Sequence, residues 1–399
     1  MSITCRGVAL LAATLLVGAG FATALGPVVS AGASASRDKP VPADFAVPLT
    51  PFDPARVAAQ AAAGATIPFW SGSVVAAQDG KRYRYTMVGQ DPGARLTHPK
   101  TTIVANVIPI VVQLADGTTL NPTIKSCGET VSPLNAVLAS PIFNDTRFRP
   151  GGTPVGVTQY ADAFQRAILW SSTSPAGVNP GYHILLAPKL GRSITIKVPA
   201  SAGKVVSSVH GCPFAAVTMA YAVAQGLKLI PQVAGKPWGV TPKTFPIFLL
   251  HNVELPRKLG VSGSVGFHAA IPNPAFHGVT QTVAVASYLD AAVAPHEPDI
   301  AVLSHEVGEW MDDPLGTNSA PPWGNVGQVS GSCQRNLEVG DPLTGTTFAV
   351  ARTGVIYHPQ DLAFLAWFFG PSPSRAVNGF YSFNGNFARE APACPPGGA

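Results

Sequence analysis

Eleven residues, Ser304-His305-Glu306-Val307-Gly308-Glu309-Trp310-Met311-Asp312-Asp313-Pro314, constrain this chain more than any other stretch. Ile300, Leu303, Val307 and Trp310/Met311 recur at three- and four-residue spacing, which predicts a helix with a buried back face. Glu297-Pro298-Asp299 supplies acidic residues and a proline suited to a first turn. Pro314 disfavours helix at Asp313 and ends the element there. On such a helix His305 and Glu309 stand one above the other, close enough to grip one cation, with Asp312 a further turn along the same side. Val302 and Gly308 are weak helix formers, so tertiary packing must hold the helix.

The run reads H-E-x-x-E. It departs from the H-E-x-x-H helix of zinc proteases at its last position, where Glu309 replaces the second histidine. Glu306 occupies the place of the general base. The alternative reading of the same spacing is a surface His–Glu pair, but so acidic a cluster is costly unless it is solvated or binds a cation. A cation on His305 and Glu309 needs a further ligand. Glu338 and Asp341 follow a short loop after the helix, and His268 is another candidate; His251 and His358 have less to recommend them. One imidazole and two carboxylates would cancel the charge of a zinc ion and weaken its acidification of water. Oxygen-rich ligation also brings manganese and calcium into contention.

The N-terminus is expected to be a secretory signal peptide over residues 1–35. Arg6 precedes an apolar run from Val8 to Leu25, and Ala33-Ser34-Ala35 offers a small-residue cleavage site, with Ala22-Thr23-Ala24 as a second. No later stretch is long and apolar enough to span a bilayer. Of the five cysteines, Cys5 leaves with the signal. Cys127, Cys212, Cys333 and Cys394 remain, an even set suited to two disulfides in an oxidising compartment. Proximity along the chain favours Cys127–Cys212 and Cys333–Cys394. The net charge of +5 comes without Lys/Arg clusters, so nothing argues for nucleic acid.

With 40 glycines, 39 prolines and 12% charged residues, the chain is turn-rich and more suited to short strands than to a helical bundle. Residues 36–95 read as an extended lead-in, with room for one short helix before about Gly64, followed by a β-hairpin whose arms Thr66–Ala77 and Arg82–Val88 flank an Asp79-Gly80 turn. Thr101–Leu114 is a strong strand, and another short strand follows Asp116-Gly117. Val157–Ser171 reads as helix, Tyr182–Leu186 and Ser193–Val198 as strands, and Phe214–Leu229 as a mostly buried helix. Phe245–Val253 and Thr282–Leu289 read as strands, and Gly266–Ala270 as a loop or strand end carrying His268. Gly316–Gln334 reads as polar loop, Thr346–Val350 and Val355–Tyr357 as strands, and Gln360–Phe369 as helix.

Ser304-His305-Glu306-Val307-Gly308-Glu309, Asp313-Pro314, Trp323 and Glu338-Val339-Gly340-Asp341 together resemble a family of secreted bacterial proteins of unassigned function. More distantly, Phe245 to Asp341 is similar to the plant exordium-like, or phosphate-induced, extracellular proteins. The bacterial resemblance runs from about Thr101 to Cys394. It implies an extracellular protein with a zincin-like metal site carried by His305, Glu309 and the Glu338/Asp341 run. It implies no defined activity, and Glu309 separates the pattern from true zinc proteases.

The expectation is therefore an α+β protein, β-rich at its N-terminal part, with residues 96–399 forming a zincin-like part around the metal-site helix. Its expected activity is metal-dependent hydrolysis, of peptide bonds first, with His305, Glu309 and Glu338 binding zinc, Asp341 or His268 as substitutes, and Glu306 as base. The rival is a non-catalytic extracellular protein with a structural cation or none. It would bind a cell-surface polymer or another protein through loops around Trp323, Tyr357 and Tyr381.

Overall fold

A computed structural model describes residues 53–394 apart from 126, 236–238, 330–331, 371–373 and 393. The expected signal peptide lies outside the described residues. The chain opens with helix α1 (Pro54–Ala62), capped by the Asp53 carboxylate, and the hairpin β1 (Phe69–Val75) and β2 (Arg82–Val88). Asp79 closes the hairpin turn by accepting from the Lys81 amide and the Tyr83 hydroxyl. Strand β3 (Lys100–Leu114) leads through a tight turn to β4 (Thr119–Leu120). Helix α2 (Pro133–Ala139) and the short pair β5 (Thr146–Phe148) and β6 (Gly156–Thr158) precede helices α3 (Tyr160–Ile168) and α4 (Trp170–Thr173). Four strands follow: β7 (His183–Leu190), β8 (Ile194–Val198), β9 (Gly203–Val209) and β10 (Cys212–Val217). After helix α5 (Met219–Val233) come β11 (Thr244–His251), β12 (Val253–Glu254), β13 (Gly266–Asn273) and β14 (Val279–Tyr288). Helix α6 (Ala301–Asp312) carries the H-E-x-x-E run. The pairs β15 (Ser319–Gly324) with β16 (Cys333–Asn336) and β17 (Val350–Arg352) with β18 (Val355–Tyr357) follow, then helix α7 (Leu365–Phe369).

The fold is mixed α+β with a β-rich N-terminal part, as the strand-forming composition implies. Its main sheet runs β13-β14-β11-β3, with β7, β8 and β4 also on β3. The pairings are parallel except β13 on β14 and β4 on β3. Strand β3 belongs to two cores at once, because successive side chains point to opposite faces. Ile103, Ala105 and Val107 face a core shared with α3, α6 and the hairpin. Ile108, Ile110, Val112 and Leu114 face a second core under α5.

Helix α6 lies across the first face, against β13, β14, α3 and β2. Trp310 stacks on Phe245 at a centroid distance of 3.7 Å, and its indole N–H donates to the Thr282 hydroxyl at 3.0 Å. Cys127 is bonded to Cys212, and Cys333 to Cys394, the pairs that proximity favours. No helix among the described residues is long and apolar enough to cross a membrane.

Several local expectations need correction. Helix α5 is not mostly buried: only Leu229, Ile230 and Val233 are, and Phe214 belongs instead to β10, which pairs with β9. The polar loop read over Gly316–Gln334 contains β15, with Ala320, Pro321 and Trp323 buried. Of Thr346–Val350 only Val350 is strand, and helix in Gln360–Phe369 begins at Leu365. The first turn of α6 does not include Asp299. That residue has φ +49°, and its carboxylate accepts from the Ile300 and His358 amides, so the helix starts at Ala301.

Candidate metal centre

All twelve residues of α6 are buried, polar ones included, so the charged face of the helix points into protein. Opposite it stand β13, carrying His268, and the segment Glu338–Asp341 that returns from β16. His305, Glu306, Glu309, Glu338, Asp341 and His268 are thereby gathered, and none is more than 7% exposed. Asp312 is not among them. It turns to α3, where the Gln165 amide donates to it at 2.9 Å. His251 pairs with Asp290 and His358 with Asp299, both outside the cluster.

The donors form two groups of three that share Glu309, and within each group the atoms lie within 4.8 Å of one another. In the first, His305 Nε2 is 3.1 Å from Glu309 Oε1 and 3.6 Å from Asp341 Oδ1. In the second, His268 Nδ1 is 3.6 Å from both Glu306 Oε2 and Glu309 Oε2. Glu338 joins neither; its Oε2 lies 3.8 Å from the other ring nitrogen of His268.

Hydrogen bonds fix both imidazoles. Gln360 donates from Nε2 to the Gly340 carbonyl at 2.6 Å, so its Oε1 faces His305 and accepts from Nδ1 at 3.1 Å. His268 Nε2 donates to the Asp313 carbonyl at 2.9 Å. In each ring the nitrogen left with a lone pair is the one that faces the carboxylates, an arrangement that orients metal-ligating histidines. Glu309 Oε1 accepts from the Gly340 and Asp341 amides at 3.1 and 3.3 Å, and Gln334 donates to Asp341 Oδ2 at 2.6 Å.

The remaining donor atoms have no partner. His268 Nδ1, Glu306 Oε2, Glu309 Oε2, Asp341 Oδ1 and both oxygens of Glu338 are buried and unbonded. Leaving such groups unpaired is costly. Ligand atoms about 2.0–2.2 Å from a tetrahedral ion lie about 3.3–3.6 Å apart, close to the separations found here. The residues therefore fit a cation.

The electrostatics point the same way. Burial alone would lower the His305 pKa, but Glu309, Glu306 and Asp341 overcome it and hold it at about 10. Burial likewise opposes protonation of His268, and Glu338, Glu306 and Glu309 raise it well above the usual histidine range. Burial would raise Glu309, yet His305 and His268 pull it down to about 2. Glu338 and Asp341 rise well above ordinary carboxylates through burial and the charge of Glu309. Burial also raises Glu306, with His268 and His305 opposing it. Without a cation the cluster holds protons; a divalent ion would discharge it.

A cleft of about 460 Å³ opens onto the centre. His305, Glu306 and Gln360 lie at its base, and Ser262–Gly266, leading into edge strand β13, form one wall. Two glycines make room for the ligands. A Cβ on Gly340 would sit 2.5 Å from His305 Nδ1, and one on Gly266 would sit 2.5 Å from Glu306 Oε1.

Gln360, Gln334 and the Asp313 carbonyl escaped sequence reasoning. Each is an isolated polar group 20 or more residues from the residue it supports, apart from Gln334, and carries no spacing signal. Trp323, Tyr357 and Tyr381 are buried in the core; Trp323 packs edge-on against Trp367 and Phe368. Compared with protein-family models, curated proteins and solved structures, the chain matches none.

Proposed function

We propose that this is a secreted metal-dependent hydrolase acting on peptide bonds. The observation that carries the reading is the convergence of unpartnered, buried ligand atoms beneath an open cleft. His305, Glu309 and Asp341 would hold the ion, in a ligand set that suits zinc and also manganese. When bound, such an ion supplies Lewis-acid polarisation of a carbonyl and acidification of water.

The chain's own residues supply the rest. Gln360 holds His305 in its ligating tautomer, and the Gly340 and Asp341 amides orient Glu309. Glu306 reaches the cleft and is placed to take a proton from water and return it to a leaving amine. Its raised pKa suits a group that must both accept and release a proton. Ser262–Val265, the segment leading into β13, is the part of the cleft wall that stays accessible, and an extended peptide would lie along it. The disulfides agree with an oxidising, extracellular setting.

The test is elemental analysis of the purified protein with a peptidase assay on unfolded polypeptide. The ion held at His305, and with it hydrolysis, should be lost in His305→Ala. Glu306→Gln should lose turnover while keeping the ion at His305. Hydrolysis that survives complete metal removal would sink the reading. A second reading, a structural cation in a binding protein, is favoured by the complete burial of Glu309, Glu338, Asp341 and His268. It predicts a tightly held ion and no turnover.

A further inference from the structure

We propose that the centre takes two divalent cations, with Glu309 bridging them. The proposal rests on the reading that His305, Glu309 and Asp341 hold an ion, and adds a second, inner ion on His268, Glu306 and Glu309, with Glu306 offering it Oε2 and keeping Oε1, beside Gly266 in the cleft wall, for the proton. The two histidines address different oxygens of one carboxylate: His305 faces Oε1 and His268 faces Oε2. Each also has a carboxylate of its own, Asp341 for His305 and Glu306 for His268. That is the layout of a bridged pair, in which neighbouring ions lie about 3.5–4 Å apart.

The inner position stands on its own observations. His268 Nε2 spends its proton on the Asp313 carbonyl, so Nδ1 presents a lone pair to two carboxylate oxygens. At 3.6 Å these contacts are too long for hydrogen bonds, and all three atoms lack any other partner. Without an ion only a proton on Nδ1 could hold these atoms together, and separations of 3.6 Å suit a cation among them better than that hydrogen bond.

Charge balance sets the number of ions. Glu306, Glu309, Glu338 and Asp341 are all buried, and with neutral imidazoles they bring four negative charges. One divalent ion leaves half of that charge to be met by retained protons in a site with little water; two ions remove it without them. Glu338 fits the same count. Neither of its oxygens has a partner, and it lies beside His268, at the end of the cluster that a single ion on His305 would neutralise least. The mixed nitrogen and oxygen donors suit zinc or manganese at both positions.

The experiment strips the full-length secreted protein with chelator and titrates it with zinc alone, reading stoichiometry by calorimetry and by elemental analysis after gel filtration. Wild type should take up about two equivalents. His268→Ala and His305→Ala should each retain about one, and Glu309→Gln should retain less than either. A single equivalent in wild type, lost in His305→Ala and unaffected by His268→Ala, would overturn the two-ion proposal and leave the hydrolase reading standing. A single equivalent lost in both histidine variants means one shared ion, and also overturns it. No uptake by wild type would remove both. Because His268 is fully buried and its alanine variant can misfold, the manganese-loaded wild type provides a second readout. A spin-coupled manganese pair in its EPR spectrum supports the proposal; a spectrum of isolated ions only overturns it.

Discussion

Gly340→Ala tests the centre without touching a ligand. Gly340 has φ −85° and ψ −36°, a conformation alanine adopts freely, so the backbone is not strained by the change. The new methyl would meet the His305 ring at 2.5 Å from Nδ1 and 2.7 Å from Cε1 and Cγ. Ordinary carbon contacts are about 3.5–4.0 Å, so the ring or the loop must yield by about 1 Å. Neither moves freely. The ring is tied to Gln360, the helix beneath it is buried on every side, and the Gly340 amide and carbonyl bond Glu309 and Gln360. Disturbing the support of a metal ligand typically lowers affinity 10–100-fold, about 1.4–2.8 kcal/mol. Zinc affinity measured by chelator competition should fall by that amount. The unfolding free energy of the stripped protein should fall by about 1–3 kcal/mol as well, because the same overlap must be relieved there, offset in part because alanine restricts the unfolded chain. Wild-type zinc affinity in Gly340→Ala would refute the assignment of His305 as a ligand.

Three further outcomes are expected. Burial holds the Asp312 pKa at about 7, against the Gln165 donor and with Asp313 adding to the rise. Between about pH 4 and 7 the native state thus keeps a proton that the unfolded state has released, and stability falls as pH rises through that window. In the stripped protein Asp312→Asn should reduce this fall, by up to about 4 kcal/mol between pH 4 and 8 in urea unfolding; parallel curves for the two proteins would contradict it. Replacing Cys127 and Cys212 by serine opens a closed loop spanning a sequence separation of 85 and should cost about 2–5 kcal/mol, read from the denaturant midpoint. Trp310→Ala removes the ring stacked on Phe245 and strands the Thr282 hydroxyl; a loss of about 3–5 kcal/mol in thermal or urea unfolding is expected, and a change below 1 kcal/mol would show that the site collapses to fill the void.

The sequence was informative where one signal dominates locally. The Asp79-Gly80 hairpin and the Val/Ile run of β3 lie close to where propensity puts them. The motif helix forms because its apolar stripe and Pro314 agree. What composition could not convey is that the opposite stripe is buried too: a periodic pattern marks the apolar face but says nothing of what covers the polar one. Helix α5 fails in the other direction, since its Ala-rich sequence suits burial while only its last turns are fully buried, and Met219, Tyr221, Ala222 and Val223 pack on the core half-exposed. At the centre, Glu309 is near His305 in helix spacing, while Asp341 follows only after the β15–β16 pair. His268 comes from a different strand, and only the antiparallel pairing of β13 with β14 brings it under α6. Nothing in a linear reading separates Asp341, grouped with His305, from Glu338, placed beside His268.

Strand β3 has a consequence for how the molecule comes apart. Its first half is wedged between β7 and β11, its second half between β8 and β4, and its two faces feed different cores. Neither core can melt while the other keeps β3 in place, so the two are mechanically one unit and a single cooperative transition is the natural outcome. The same strand makes assembly slow. Its parallel neighbours β7, β8 and β11 all come from far along the chain, and each pairing must close a long loop before any contact rewards it. A protein wired in this way trades rapid folding for resistance to piecemeal opening, a property suited to an environment where an unfolded segment is soon cut.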